Sequence, residues 1–483
     1  MKNIVARNFI IYSLPSIVSK FIPFIVLPIT TKYLNLIDFG NIAIFELCII
    51  PFQILLGFGP GYVINSLWYG LNIKERGSLL FSLLLVGLTF IILGIVSFSI
   101  FKNQIFPLIA GEEWINIKDL FPFLLISAAS IIPNNIFDSW IIIERKAKLS
   151  TAIKLSQIVI ASITVILIAK YTQNFKYVIM GNVLVNMVIA SIQVVCLSKA
   201  LYFSLEKRWF ILIYKISSPI LLRSVFMVMR SQFDRILVSK LYGASQYAIY
   251  NFSGKVNNAA TELGLRYQNA YDPIIYKGLT EKNLNIDSLR SILFIGSYFI
   301  ILLGSILVFS GQYLINILTN NIFSDAYNLV ILYYCTIVVT LPFMANGQVV
   351  LFYQKTKYLF IITVIQTVII VILAVILVPI FGALGGIFSF WFGTLVYMLM
   401  YFYKKRQLYK EFFIEKMVLI YVVLFHIAVF ALFINFNIIA KILLVVLMMS
   451  MSIKLYYMNK IFINSFSNKI SNTISNIITR RKQ

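Results

Sequence analysis

Acidic side chains are scarce in this 483-residue chain: 17 Asp and Glu stand against 41 Lys and Arg, and charged residues of both signs make up only 12%. So little charge excludes an ordinary soluble domain, in which about a quarter of residues are charged. Cysteine occurs three times, at Cys48, Cys196 and Cys335. All three fall inside apolar runs, which suits small core residues and excludes a disulfide framework or redox chemistry. Histidine occurs once, at His426, where packing or a local hydrogen bond is the expected role. No metal, cofactor or catalytic site is expected.

What the chain has in abundance is apolar surface: 60% of residues are hydrophobic and 15% aromatic. Apolar runs of about 20 residues, each long enough to cross about 30 Å of hydrocarbon as a helix, recur between short polar turns. Stretches such as Leu79 to Ile100 and Leu359 to Val378 are apolar on nearly every face; strands of a membrane barrel would alternate instead. The chain therefore reads as an all-α polytopic membrane protein with about fourteen transmembrane helices, near 9–31, 39–59, 78–101, 120–143, 149–169, 177–199, 212–239, 246–270, 289–313, 326–352, 358–379, 383–403, 417–435 and 437–457. The first carries Lys20 and several prolines and has no small-residue cleavage site, so it is expected to be retained rather than removed as a signal peptide.

With the N-terminus inside, roughly two-thirds of the Lys and Arg fall on cytoplasmic segments, which orients the chain. The net charge of +24 then needs no nucleic-acid partner, because Lys404, Lys405, Arg406, Lys410, Arg480, Arg481 and Lys482 follow the positive-inside bias. Beyond the last span, Phe466, Ile470, Ile474 and Ile477 recur at helical spacing, as in a short helix on the inner leaflet or a disordered tail.

A repeat organises the chain. Lys32 to Phe39 aligns at offset 208 with Lys240 to Tyr247; at offset 209, Pro133 meets Pro342, Lys146 and Lys148 meet Lys355 and Lys357, and Gln157 meets Gln366. Six helices per repeat is an even number, so two six-helix lobes, 1–206 and 207–410, are expected around a pseudo-two-fold along the membrane normal. Helices 13 and 14 at 411–460 and a basic cytoplasmic tail at 461–483 lie outside the repeat.

Ionisable residues at membrane depth cost about 2.5 to 3.5 kcal/mol each on insertion scales, so those retained face protein or water. Lys20 lies in helix 1, Glu46 in helix 2, Lys154 in helix 5, Arg223, Arg230, Asp234 and Arg235 in helix 7, and Lys255, Glu262 and Arg266 in helix 8. Spacings of i, i+7 and i+11 put Arg223, Arg230 and Asp234 on one face, and Lys255, Glu262 and Arg266 on another. Arg230 with Asp234, and Glu262 with Arg266, also read as internal i,i+4 pairs. Lys20, Arg223, Lys255 and Arg266 are the substrate-binding candidates for a water-filled cleft, which as a cationic site would suit an acidic cargo. Glu46 and Glu262 are candidates for ion coupling or pairing. Lys154 is ranked lower because it can snorkel to the cytoplasmic end.

Three segments then carry a likeness. Leu27 to Gly40 resembles the helix 1 to 2 junction of polysaccharide-export flippases, the Wzx-like O-antigen branch of the multidrug/oligosaccharidyl-lipid/polysaccharide (MOP) exporter superfamily. Phe233 to Tyr250 resembles that family's Asp-Arg segment and the start of its helix 8, with Ala248 where Gly is usual. Pro379 to Gly386 is similar to its helix 11 to 12 turn. Asp38, Asp234 and Arg235 fall in these motifs. The resemblance implies a two-lobe transporter, not an enzyme, working by alternating access in a bacterial cytoplasmic (inner) membrane. Its implied cargo is a polyprenyl-pyrophosphate-linked glycan, such as an O-antigen or capsular repeat unit, and other polysaccharide assembly proteins are implied partners. Related peptidoglycan-precursor flippases use cations on helices 1 and 8, matching Lys20, Lys255 and Arg266 by location only. The rivals are a multidrug-type exporter, for which twelve helices and acidic residues would be expected, and a membrane polymerase or glycosyltransferase. The latter needs a catalytic outer loop, and Phe101 to Asp119 holds only Glu112, Glu113 and Asp119, with Glu112-Glu113 expected as a solvated turn.

Overall fold

The computed structural model describes residues 15, 18–52, 59–144, 146–411, 413–414, 416–433 and 438–455. The predicted surface helix with Phe466, Ile470, Ile474 and Ile477 lies outside them. The described residues are helical with no strand, and nine of their helices are long and apolar enough to cross a membrane.

In chain order, α1 is Val18–Thr30, α2 is Leu36–Cys48, followed by a short helix at Pro60–Leu67, α3 is Ile73–Ala110, α4 is Phe121–Ile143, α5 is Ala147–Thr172 and α6 is Phe175–Ser198. The helix Lys207–Thr280 is broken at Gly243, whose φ of 74° and ψ of −174° are non-helical; its limbs are α7 (207–242) and α8 (244–280). Then follow α9 Ile286–Thr319, α10 Ala326–Phe352, α11 Thr356–Phe381, α12 Ala383–Leu408, α13 Lys416–Phe433 and α14 Ile438–Leu455.

Local chemistry sets the helix starts. Asn35 Oδ1 accepts from Asp38 N at 2.9 Å and Asp38 Oδ2 from Asn35 N at 3.0 Å, a reciprocal cap that satisfies two orphan donors of α2. Asn72 and Glu75 repeat the device on α3, both bonds at 3.0 Å. Two predicted boundaries shift. Helix 3 runs on through Pro107 to Ala110, and Gly111 to Leu120, read as an outer loop, is compact helical turns. Helices 7 and 8 are parted by Gly243 alone, because one residue in a conformation open almost only to glycine turns the chain without a loop.

The repeat partners occupy like places in their elements. Pro133 lies inside α4 and Pro342 inside α10, and Lys146 and Lys355 each stand in the turn that follows, before α5 and α11.

Compact packing divides the chain into two units. The first holds residues up to Leu263, Tyr313–Tyr333 and Thr356–Tyr397; the second holds Gly264–Gln312, Tyr334–Lys355 and everything from Met398. In the first, Leu34, Ala169 and Val178 form a buried cluster with Phe39 and Ile42 against it. In the second, Tyr271, Ile275, Leu289, Leu293, Ala345 and Val349 are buried around Phe413. Outward stripes stay apolar: on α3, Leu88, Ile92, Leu93 and Val96 are half or more exposed, as lipid-facing positions require.

Candidate functional site

A cavity of about 370 Å³ lies within the first unit, walled by α1, α2, α4, α5, α6 and α8. Most of its wall is apolar, from Pro23 and Leu27 to Val183 and Phe252. Two ionisable groups face it, Glu46 and Lys255. Their Oε2 and Nζ atoms are 3.9 Å apart and the side chains are 53% and 47% exposed. Lys255 stands twelve residues past Gly243, about 18 Å along the helix at 1.5 Å per residue. The pair is long and both side chains are about half exposed. Asn182 and Asn186 add neutral polarity, and Asn186 Oδ1 accepts from Gln157 Nε2 at 2.9 Å.

Aromatic rings cover the end of the cavity beside the 320–325 turn. Phe252 stacks on Phe323 with centroids 4.8 Å apart, Phe39 meets Phe323 edge-on at 5.4 Å, and Phe24 meets Phe252 at 6.5 Å. Asn320 Nδ2 fastens the turn to α1, donating to Pro28 O at 2.9 Å and Thr31 Oγ1 at 2.7 Å.

Of the four basic candidates, Lys255 lines this cavity. Lys20 is exposed on α1, three, four and seven residues before the lining residues Pro23, Phe24 and Leu27, so it shares their helical face one turn away without being part of the wall. The Arg223 side chain lies outside the described set. Arg266 belongs to the second unit; both it and Glu262 are half-buried and engaged in interactions.

The expected Arg230–Asp234 pair is replaced by other partners. Arg230 Nη1 donates to Gln366 Oε1 at 2.9 Å, with the guanidinium 5.8 Å from the Tyr397 ring centre, while buried Asp234 accepts from the Tyr250 hydroxyl. Lys154 does not merely snorkel: its Nζ is 2.9 Å from Asp138 Oδ2. Asp138 was missed in the sequence because it stands near a helix end, where a carboxylate is unremarked. His426 Nδ1 is 2.7 Å from Val422 O, the local hydrogen bond expected of it.

The motif residues form a structural knot. A Cβ on Gly40 would sit 2.1 Å from Ala244 O, so α2 crosses the start of α8 in backbone contact. Glu113 Oε1 accepts from Ala244 N at 3.0 Å and its Oε2 from Asn116 Nδ2 at 2.6 Å. Glu113 therefore caps α8 instead of forming a solvated turn, a carboxylate at the positive end of a helix. The Tyr242 hydroxyl donates to Val378 O at 3.0 Å, and Gly386 lies against the Tyr250 hydroxyl. Arg235 packs on Gly254 and beside Tyr333.

No protein-family profile matches the sequence, and no curated protein does. Solved structures do. The chain is 16% identical to the lipid II flippase MurJ in an inward closed conformation, with 94% of this chain and 100% of that chain covered and a TM-score of 0.67. It is 16% identical to an inward-facing multidrug resistance MATE family transporter of the MOP superfamily, covering 82% and 94%, at 0.59. It is 13% identical to the D35N mutant of the Vibrio cholerae MATE transporter VcmN, covering 84% and 97%, at 0.59. At such identities the likeness establishes the fold: an all-helical, multi-pass membrane protein built like MOP-superfamily transporters and flippases.

Proposed function

We propose that this chain is a flippase that carries a polyprenyl-pyrophosphate-linked oligosaccharide, an O-antigen or capsular repeat unit, from the inner to the outer leaflet of a bacterial cytoplasmic membrane. The observation that carries the reading is Lys255, a cation on the wall of a cavity, 3.9 Å from Glu46 and able to exchange that carboxylate for a phosphate. The charge bias of the loops supports cytoplasmic termini, and the repeat supports lobes 1–206 and 207–410 that rock about each other. Lys20, Arg223 and Arg266 join Lys255 as the cargo's cationic contacts, with Glu46 and Glu262 pairing them or carrying a coupled ion. An inside-negative potential contributes about 2.3 kcal/mol per charge per 100 mV and drives an anion outward.

Coverage also favours this reading. The flippase match reaches 94% of the chain and the two MATE matches reported above 82–84%, a difference about as long as α13, α14 and their connections. One observation favours a multidrug-type exporter instead: the cavity wall is mainly apolar and bears a carboxylate, which suits lipophilic cations. Deleting the gene in its native host separates the two. Undecaprenyl-linked units accumulating on the cytoplasmic face support the flippase; normal units with heightened sensitivity to cationic drugs overturn it.

A further inference from the structure

A second hollow, of about 330 Å³, lies in the same unit between the short helix Pro60–Leu67 and the C-terminal half of α4. It shares no residue with the Lys255 cavity, and its chemistry differs. Tyr62, Asn65, Asn135, Asp138 and Ser139 present hydroxyl, amide and carboxylate groups, and Gly59 and Gly61 bring backbone to the wall. Gly61 is the close approach: a Cβ there would lie 2.6 Å from Ser139 Oγ. Ser139 Oγ donates to the Asn135 backbone O at 2.8 Å, and Asn135 is an exposed residue.

The charges in this hollow cancel. Lys154 Nζ holds Asp138 Oδ2 at 2.9 Å. A metal or organic cation would compete with that ammonium, and an anion would meet the carboxylate, so neither is favoured. Asp138 Oδ1 is buried with no hydrogen-bond partner among the described residues, so with Oδ2 held by Lys154 the carboxylate offers the hollow no free acceptor and recognition falls to its neutral groups. The amides of Asn65 and Asn135 both donate and accept. The Tyr62 ring, 57% exposed, offers a flat apolar face. A volume at the lower end of the small-molecule range, about 300–1,000 Å³, limits the occupant to one or two rings. We propose that this hollow is a saccharide subsite that recognises a pyranose through hydroxyl pairs on Asn65 and Asn135, with Tyr62 under its C–H face. It deepens the flippase reading and rests on it: the hollow lies near the end of α4 that the charge bias assigns to the cytoplasm, where a sugar headgroup would enter.

The test is saturation-transfer difference NMR on the full chain in detergent, with the methyl glycosides of glucose, galactose and N-acetylglucosamine as probes. At least one glycoside is expected to receive saturation. Asn65→Ala and Asn135→Ala should each reduce it at least about fivefold without altering thermal unfolding, Tyr62→Ala should do the same, and Lys255→Ala and added inorganic phosphate should leave it within about twofold. Saturation of no glycoside, saturation indifferent to Asn65→Ala and Asn135→Ala, or displacement by phosphate overturns the subsite. Glycoside binding that fails while the wild-type protein transfers polyprenyl-linked cargo sinks the subsite alone. Binding that meets these criteria in a protein that moves no such cargo upholds the subsite and sinks the cargo reading alone.

Discussion

In the proposed flippase, Glu46 and Lys255 keep a cation available on the cavity wall. At 3.9 Å, with both groups about half exposed, the carboxylate lowers the cost of carrying the ammonium without binding it tightly. Glu46→Gln should therefore strengthen cargo binding and slow release: a KM for transfer several-fold lower with a reduced maximal rate, measured in reconstituted vesicles. Tyr250→Phe tests a different role, since the Tyr250 hydroxyl donates to Asp234, which is 1% exposed. Its loss leaves a buried carboxylate short of a donor at a cost of about 1–3 kcal/mol, seen as a lowered unfolding temperature, whereas Tyr62→Phe on the exposed ring should leave stability unchanged. Lys255 and Glu46 were legible in the sequence because a charge inside an apolar run stands out. The partners were not: Gln366 lies 136 residues from Arg230, and no local spacing reveals such a contact.

Among the elements, the start of α8 packs against α2 in backbone contact. Gly243 holds φ 74° and ψ −174°, a region that other residues enter at about 1–3 kcal/mol, and Gly40 leaves no space for a Cβ beside Ala244 O. Gly243→Ala and Gly40→Val should each lower folded yield and unfolding temperature, read by fluorescence-detected size exclusion after graded heating, while Gly70→Ala, which meets nothing within 4 Å, should not. Helix identity was readable where the spans are continuous apolar runs, as in nine helices among the described residues. Helix ends were less so: α3 continues through Pro107 to Ala110, past a residue that usually breaks a helix. Glu113 is a cap only because residues 131 positions apart meet.

For the whole molecule, orientation and cargo are the claims at stake. With the termini inside, the α5–α6 turn faces out and the α8–α9 turn faces in. In a chain with Cys48, Cys196 and Cys335 replaced by alanine, Gln173→Cys should react with an impermeant maleimide on intact cells, and Lys282→Cys only after permeabilisation; the reverse pattern would invert the direction of transport. In the sequence, that expectation rests on the apolar runs and the loop charge. The division into compact units was not, because it depends on which helices touch rather than on where the repeat begins. The most direct measurement of the central claim is the rate at which vesicles holding the purified chain move a fluorescent polyprenyl-pyrophosphate-linked sugar between leaflets. Wild type should transfer it, and Lys255→Ala should be slower by at least about tenfold. Equal rates for the two proteins would contradict the assignment of Lys255 as the cation that receives the cargo.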